Sequence, residues 1–267
     1  MNIRKSALIF FSVLYAVLWI GGIASYAFGL SGDLSRNVAA SLFLWCAAAI
    51  SFFGVSSTAM GVRLIAVSVA ALLFEIAGVS TGIVFGSYRY ESGFGFAFFG
   101  VPLVISAAWL ILLSYVRHIV IHTTARTSAA ILLAAAWMVT IDLVIDPVSV
   151  GPVGFWTWTS GGFYYGVPFW NFFGWFAVSL LLFPFLMNDR TPNDNAHIAG
   201  FSVLLFFMLL AVLSSLLLPA IIGGILLAGD IVLRRQDWSR YAKMVNTMVR
   251  RETGASDTPE HPEQSMK

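Results

Sequence analysis

Apolar residues in this chain gather in long unbroken runs instead of alternating with polar ones. A bilayer core takes about 20 apolar residues per helix, and several stretches approach that length. Residues 7–30 contain no charge. Residues 38–53 form a shorter run that stops at the Gly/Ser-rich segment 54–57. Residues 65–85 carry a single acid, Glu75, near their middle. The stretch 101–121 begins at Pro102 and ends with Arg117 and His118, which can snorkel to a headgroup. Residues 128–145 hold Asp142 one turn from the end, and Asp146-Pro147 closes that helix. Residues 169–187 are rich in aromatics. The last run, 198–229, is long and interrupted by Pro219 and Gly223-Gly224, so a kink is expected there. The pattern predicts an all-α polytopic bundle of about seven transmembrane helices, filling a membrane domain over residues 1–230.

The ends of the chain refine this picture. Arg4 and Lys5 precede the first run, but that run exceeds the ~7–15 residues of a signal-peptide core, so a retained first helix is expected. Past the last run stand Arg234, Arg235, Arg240, Lys243, Arg250 and Arg251. The positive-inside rule puts that tail in the cytoplasm and the protein in the cell membrane. Seven spans then leave Arg4 and Lys5 outside, a conflict that an even count would remove. Within 231–252, Leu233, Trp238, Tyr241, Val245 and Met248 recur at roughly helical spacing between basic residues. That fits an interfacial helix lying on anionic headgroups, and equally a solvated extension. Residues 253–267 read as a disordered tail.

Two loops echo one another. Phe85-Gly86-Ser87-Tyr88-Arg89-Tyr90 leads to Gly100-Val101-Pro102, with Trp109 seven residues beyond the proline. Phe155-Trp156-Thr157-Trp158 leads to Gly166-Val167-Pro168, with Trp175 again seven beyond. Glu75 lies 27 residues before Pro102, and Asp142 lies 26 before Pro168. Each unit thus has a helix with one acid, an aromatic and Gly-rich loop, a Gly-Val-Pro turn that opens a helix, and a tryptophan on the second turn. A two-helix internal repeat is the expectation. Loops two spans apart open on one membrane face, and on a seven-span count that is the face of the basic tail.

Composition narrows the function. Hydrophobic residues make up 59% of the 267 and charged ones 10%, against ~45–50% and ~25% in soluble domains. A water-soluble globule is excluded, and a net charge of +2 gives no footing for nucleic acid. The single cysteine, Cys46, excludes an internal disulfide and a Cys-rich metal site. The four histidines lie outside the depths of the apolar runs, which argues against a multi-histidine haem or di-iron centre. No cofactor or metal is expected. There is no Walker-type phosphate loop and no Gly-x-Ser-x-Gly elbow.

Ionisable residues inside spans are costly and are functional candidates by default. Glu75, Asp142 and Asp146 qualify. Asp142 and Asp146 stand at i and i+4, on one helix face, where two carboxylates in a low-dielectric site cannot both ionise easily. One would remain a neutral acid, as a proton donor requires. The plainer reading has Asp142 bonding a neighbouring helix, Asp146 capping a loop, and Glu75 pinning two helices. Arg89 either pairs with a carboxylate of the other unit or is solvated. The aromatics from Phe155 to Phe176 are denser than an interfacial belt needs. Their π faces suit a flat polyene and can stabilise a carbocation. Asn171 is the one amide among them and can orient a water. The Asp142-x-x-x-Asp146 spacing resembles a prenyltransferase motif, but the second acidic cluster of those enzymes is missing.

Four segments together are familiar: Phe-Gly-Ser-Tyr-Arg-Tyr at 85–90, Gly-Val-Pro at 100–102, Asp-Leu-Val-Ile-Asp-Pro at 142–147, and Phe-Tyr-Tyr-Gly-Val-Pro-Phe-Trp-Asn-Phe-Phe-Gly-Trp at 163–175. They resemble the CruF-type carotenoid biosynthesis family, whose members include carotenoid 1,2-hydratases and bisanhydrobacterioruberin hydratase. The likeness runs from about Phe74 to Trp175. It implies a membrane hydratase that adds water across the terminal isopropylidene C=C of an acyclic or monocyclic carotenoid, giving a tertiary alcohol. The family supplies no residue assignment, so roles follow from the chemistry. Asp142 or Asp146 would protonate C2 and the other would serve the water, with Glu75 as the alternate. Trp156, Trp158, Trp170 and Trp175 would line the cation and polyene. Tyr88, Tyr165 and Asn171 would hold the water, with Arg89 nearby. The expected partners are the lipophilic carotenoid, anionic lipid at the basic C-terminal helix, and other enzymes of the pathway. Other classes fit the same residues: a carotenoid-binding or scaffold protein with dispensable acids, a cyclase or isomerase that quenches the cation internally, and a transporter.

Overall fold

The computed structural model describes residues 3–30, 33–91, 94–124 and 126–234. Eight helices dominate the described residues. A first compact unit spans Met1–Ala228, and a second begins at Gly229. Of the predicted interfacial helix over 231–252, residues 231–234 continue the last described helix, and the rest lies outside the described residues with the predicted disordered tail.

Helices α1 (Ile3–Phe28) and α2 (Asp33–Phe53) pack on each other. α3 (Thr58–Thr81) begins seven residues before the predicted span, because Ser57 caps it. The Ser57 hydroxyl accepts from the Met60 N–H at 3.2 Å, satisfying one of the donors that a helix start leaves free. Gly82 ends α3 in the left-handed region at φ +69, where its N–H returns to the Gly78 carbonyl. Next come strands β1 (Tyr88–Tyr90), β2 (Ala97–Phe98) and β3 (Val101–Pro102), then α4 (Val104–Thr123). Pro102 therefore sits in a small hairpin rather than in the first turn of the helix.

α4 is the central helix, packed against α2, α3, α5 and α7, and residues 109–120 are buried without a break. A helix that is apolar all round belongs in such a place. Arg117 does not snorkel outward. It is buried, and its guanidinium donates to the carbonyls of Leu186 and Thr191, each at 3.0 Å, and of Asp189. Carbonyls at a helix C-terminus lack internal partners, and Arg117 supplies donors at the end of the sixth helix. Arg190 returns the favour, donating to the carbonyls of Ile121 and Thr124 at the end of α4.

α5 (Thr127–Val148) runs through Pro147 instead of stopping at it, and continues as a π-helical turn, Ser149–Val153. Proline cannot donate to the carbonyl four residues back, which is that of Leu143. The Tyr164 hydroxyl donates to it instead, at 2.9 Å. Strand β4 (Trp156–Trp158) follows, then α6 (Phe169–Leu186) with Pro168 as its N-cap, and α7 (Asp194–Leu213).

The predicted long last span is two helices. α7 ends at Leu213, Ser215 takes a φ of +59, and α8 (Leu217–Arg234) begins. Pro219 lies in the first turn of α8, where its missing N–H is no loss. α8 folds back, so that a β-carbon on Gly223 would touch Met208 of α7. Seven helices are long and apolar enough to cross a membrane, and α2 is a shorter apolar helix. The bundle is thus an all-α polytopic membrane architecture. Among the described residues the helices number eight, seven of them of spanning length.

Candidate active site

The two echoing loops meet. β1 and β4 pair antiparallel, with Tyr88 opposite Trp158, Arg89 opposite Thr157 and Tyr90 opposite Trp156. Beneath this clip, the two tryptophans that match in sequence, Trp109 and Trp175, stack with centroids 4.4 Å apart and planes 15° from parallel. α6 comes close because residue 174 is glycine. A β-carbon there would collide with the Val84 carbonyl and press on the Phe85 ring. The helix pairs α3/α4 and α5/α6 therefore share one seam, and each contributes acids to it.

Glu75, from α3, is buried and accepts three hydrogen bonds. Tyr88 and Tyr90 donate their hydroxyls to Oε2, the latter at 2.9 Å, and the Trp109 indole donates to Oε1 at 2.9 Å. Alternation along β1 puts the two tyrosines on one side and Arg89 on the other. Burial first, and the Glu75 charge second, hold both phenols well above their ordinary range, so both remain donors.

Asp142 and Asp146, from α5, are joined through Asn171 of α6. The Asn171 amide nitrogen donates to Oδ2 of Asp142 at 2.7 Å and to Oδ2 of Asp146 at 2.6 Å. The Trp156 indole donates to the other Asp146 oxygen at 3.1 Å. Oδ1 of Asp142 is buried with no hydrogen-bond partner among the described residues.

Between these groups lies a cavity of about 70 Å³. Glu75 and Asp146 both line it, while Asp142 stands behind Asn171. About half of its lining is aromatic, including Phe85, Trp109, Trp156, Trp158 and Trp175. Phe94 and Phe155, stacked at 4.0 Å, close one side. Two lining residues, Ser149 and Trp158, keep a buried polar atom unpaired among the described residues: the Ser149 hydroxyl and the Trp158 indole nitrogen. An apolar chamber with two carboxylates and a spare donor and acceptor can protonate, stabilise a cation and hold a water.

The structure gathers Glu75, Tyr88, Asp146, Trp156, Trp158, Asn171 and Trp175 around this chamber. It places three other predicted residues elsewhere. Arg89 points out and pairs with Glu91 at 3.4 Å, not with an acid of the other unit. Trp170 is half-exposed and donates to the Ile83 carbonyl. Tyr165 accepts from the Leu218 N–H at 3.3 Å. The hydrogen-bond capacity of Tyr88 and Asn171 is directed at carboxylates rather than at a free site. Sequence reasoning missed Tyr90, Trp109 and Ser149 as site residues. Tyr90 was within reach as the i+2 companion of Tyr88, and Trp109 as the repeat partner of Trp175. Nothing in the sequence marked Ser149, which a π-helical turn swings inward.

Among the described residues, no cluster of histidine, cysteine and acidic side chains has the form of a metal site. The model of the carotenoid biosynthesis protein family matches residues 36–229. A bisanhydrobacterioruberin hydratase from Haloarcula japonica is 33% identical over 138 residues, which cover 47% of this chain and 45% of that relative. The chain thus aligns with less than half the length of the relative it resembles. No solved structure matches.

Proposed function

Because the chain belongs to the carotenoid biosynthesis protein family, we propose that it is a membrane hydratase acting on the terminal isopropylidene C=C of an acyclic or monocyclic carotenoid. One observation carries this reading. Two carboxylates from different helix pairs, Glu75 and Asp146, face a single small chamber walled by indole and phenyl rings.

The reaction needs little else. Asp142 and Asp146, bridged by one amide, share a proton, which Asp146 presents to the chamber. Transfer to C2 of the double bond leaves a tertiary cation at C1, against the faces of Trp109, Trp175 and Trp156. A water held by the Ser149 hydroxyl and the Trp158 indole forms the new C–O bond at C1. Its proton passes to Glu75, whose charge Tyr88, Tyr90 and Trp109 hold in place. Return of that proton to the aspartate pair closes the cycle with no net change in charge. The name of the Haloarcula japonica relative supports the reaction class.

The membrane in question is the cell membrane, and the aromatic loops face away from the cytoplasm. Arg4 bonds the carbonyls of Phe53 and Val55, and Arg190 those at the end of α4, so these basic residues gather at the end opposite the β1/β4 clip. Positive residues favour the cytoplasmic side.

Expression in cells that accumulate lycopene or γ-carotene, with pigment analysis by liquid chromatography and mass spectrometry, tests the reading. The expected result is a new peak heavier by one water that Asp146→Asn and Glu75→Gln each reduce about 10²–10⁴-fold. A new peak of unchanged mass would mean cyclisation or isomerisation. Co-purifying pigment with no new product would mean a carotenoid-binding or scaffold role.

A further inference from the structure

A second cavity of about 370 Å³ adjoins the first, between α1, α2 and α7. The two share three buried lining residues, Leu44, Phe155 and Phe207. Apart from Ser25 and Tyr26, the lining of the second is apolar. Val17, at its lip, is 62% exposed, so the groove opens toward the lipid-facing side of α1. Its floor is widened by Gly21, where a β-carbon would meet nothing within 4 Å. The adjacent Gly22 is different, because a β-carbon there would press on the Phe206 ring at 2.9 Å.

The sizes decide how the cavities are used. A chamber of about 70 Å³ has room for a water, which needs about 10–15 Å³ of such space, beside a small branched hydrocarbon end. It does not accept a long conjugated chain. The groove is five times larger and lacks acids, as an inert rod requires. We infer that the groove between α1, α2 and α7 binds the extended polyene of the substrate, with Leu44, Phe155 and Phe207 forming the narrows through which the end group reaches Glu75 and Asp146. This rests on the hydratase reading above for the chemistry at the far end. For the groove itself it rests on continuity and lining alone. Substrate length is then set by α1 and α2, away from the acids.

The test compares two substrates with the same dimethylvinyl end in purified, lipid-reconstituted full-length protein. One is lycopene; the other is a ten-carbon hydrocarbon truncated beyond that end. Gly21→Phe and Ala40→Leu fill the groove, and Ile20→Trp, on the exposed side of the same helix, is the control. The expected result is at least a tenfold loss of lycopene hydration in both groove variants, unchanged hydration of the short substrate, and no effect of Ile20→Trp. Unchanged lycopene hydration in the groove variants, or equal loss on both substrates, overturns the inference. If the unaltered protein hydrates neither substrate, the hydratase reading falls, and retention of lycopene decides the groove separately. Lycopene absorbance eluting with the unaltered protein and with Ile20→Trp, but not with the groove variants, upholds it. Equal retention by all of them, or by none, overturns it.

Discussion

Pro147 sits inside a helix that it would ordinarily end, and one phenol accounts for the exception. The Tyr164 hydroxyl fills the bond to the Leu143 carbonyl that proline cannot make. The helix is thereby kept intact through Asp146, which takes its place in the chamber wall. Replacing Tyr164 with phenylalanine is expected to cost about 1–3 kcal/mol, the price of an orphaned carbonyl, measured as a lower Tm in detergent. Burial pushes this phenol up to about 12 from 10.0. The protonated form is favoured in the folded protein, so its contribution is complete below the unfolded value and is lost as pH rises through about 12. The stability gap between Tyr164→Phe and the unaltered protein should therefore stay constant up to about pH 10 and shrink beyond it. Among the acids, Asp142→Asn should lower hydration less than Asp146→Asn, because Asp142 reaches the chamber only through Asn171. The carboxylates were legible in the sequence because charge inside an apolar run stands out. Ser149 was not, since nothing local separates a site hydroxyl from one that bonds its own helix. Ser51 and Ser68 do the latter, donating to carbonyls four residues back.

At the scale of elements, close approach matters more than helix count. Gly174 lets α6 touch the chain at Val84 and Phe85, one turn beyond Asn171. Gly174→Val should destabilise the protein by about 1–3 kcal/mol through overpacking, and should cut hydration further by shifting Asn171 away from the aspartates. Both effects are read in one preparation, as Tm and as product. The same apolar runs that revealed the helices concealed their ends. Hydropathy cannot see Ser57 capping α3, nor the turn at Ser214–Leu216 that separates two apolar helices. The repeat was visible because tryptophan and proline are rare enough for a matched offset to stand out. Its consequence was not visible. That Tyr88 and Trp158 would pair across two strands depends on the loops meeting in space.

For the whole molecule, an odd number of helices separates the aromatic loops from the end that holds Arg4 and Arg190: α1 to α3 in the first case and α6 in the second. In a Cys46→Ala background, Ser160→Cys in the second aromatic loop is expected to react with a membrane-impermeant thiol reagent on intact cells. Ser56→Cys, at the opposite end, is expected to react only after lysis. Labelling of Ser56→Cys alone on intact cells would invert the orientation. The seam also bears on how the chain is made. Glu75 finds Tyr88 and Tyr90 within the next fifteen residues of the growing chain. Asp146 meets the Trp156 indole 10 residues later, but Asp142 must wait for Asn171, synthesised 29 residues later. A carboxylate in a lone apolar helix costs about 2.5–3.5 kcal/mol at the helix centre and less toward its ends, where Asp142 and Asp146 stand. The fifth helix therefore gains its full footing in the bilayer only when the sixth emerges beside it. A nascent chain arrested before Asn171 should hold α5 at the translocon, while the three helices before α4 are already released into lipid.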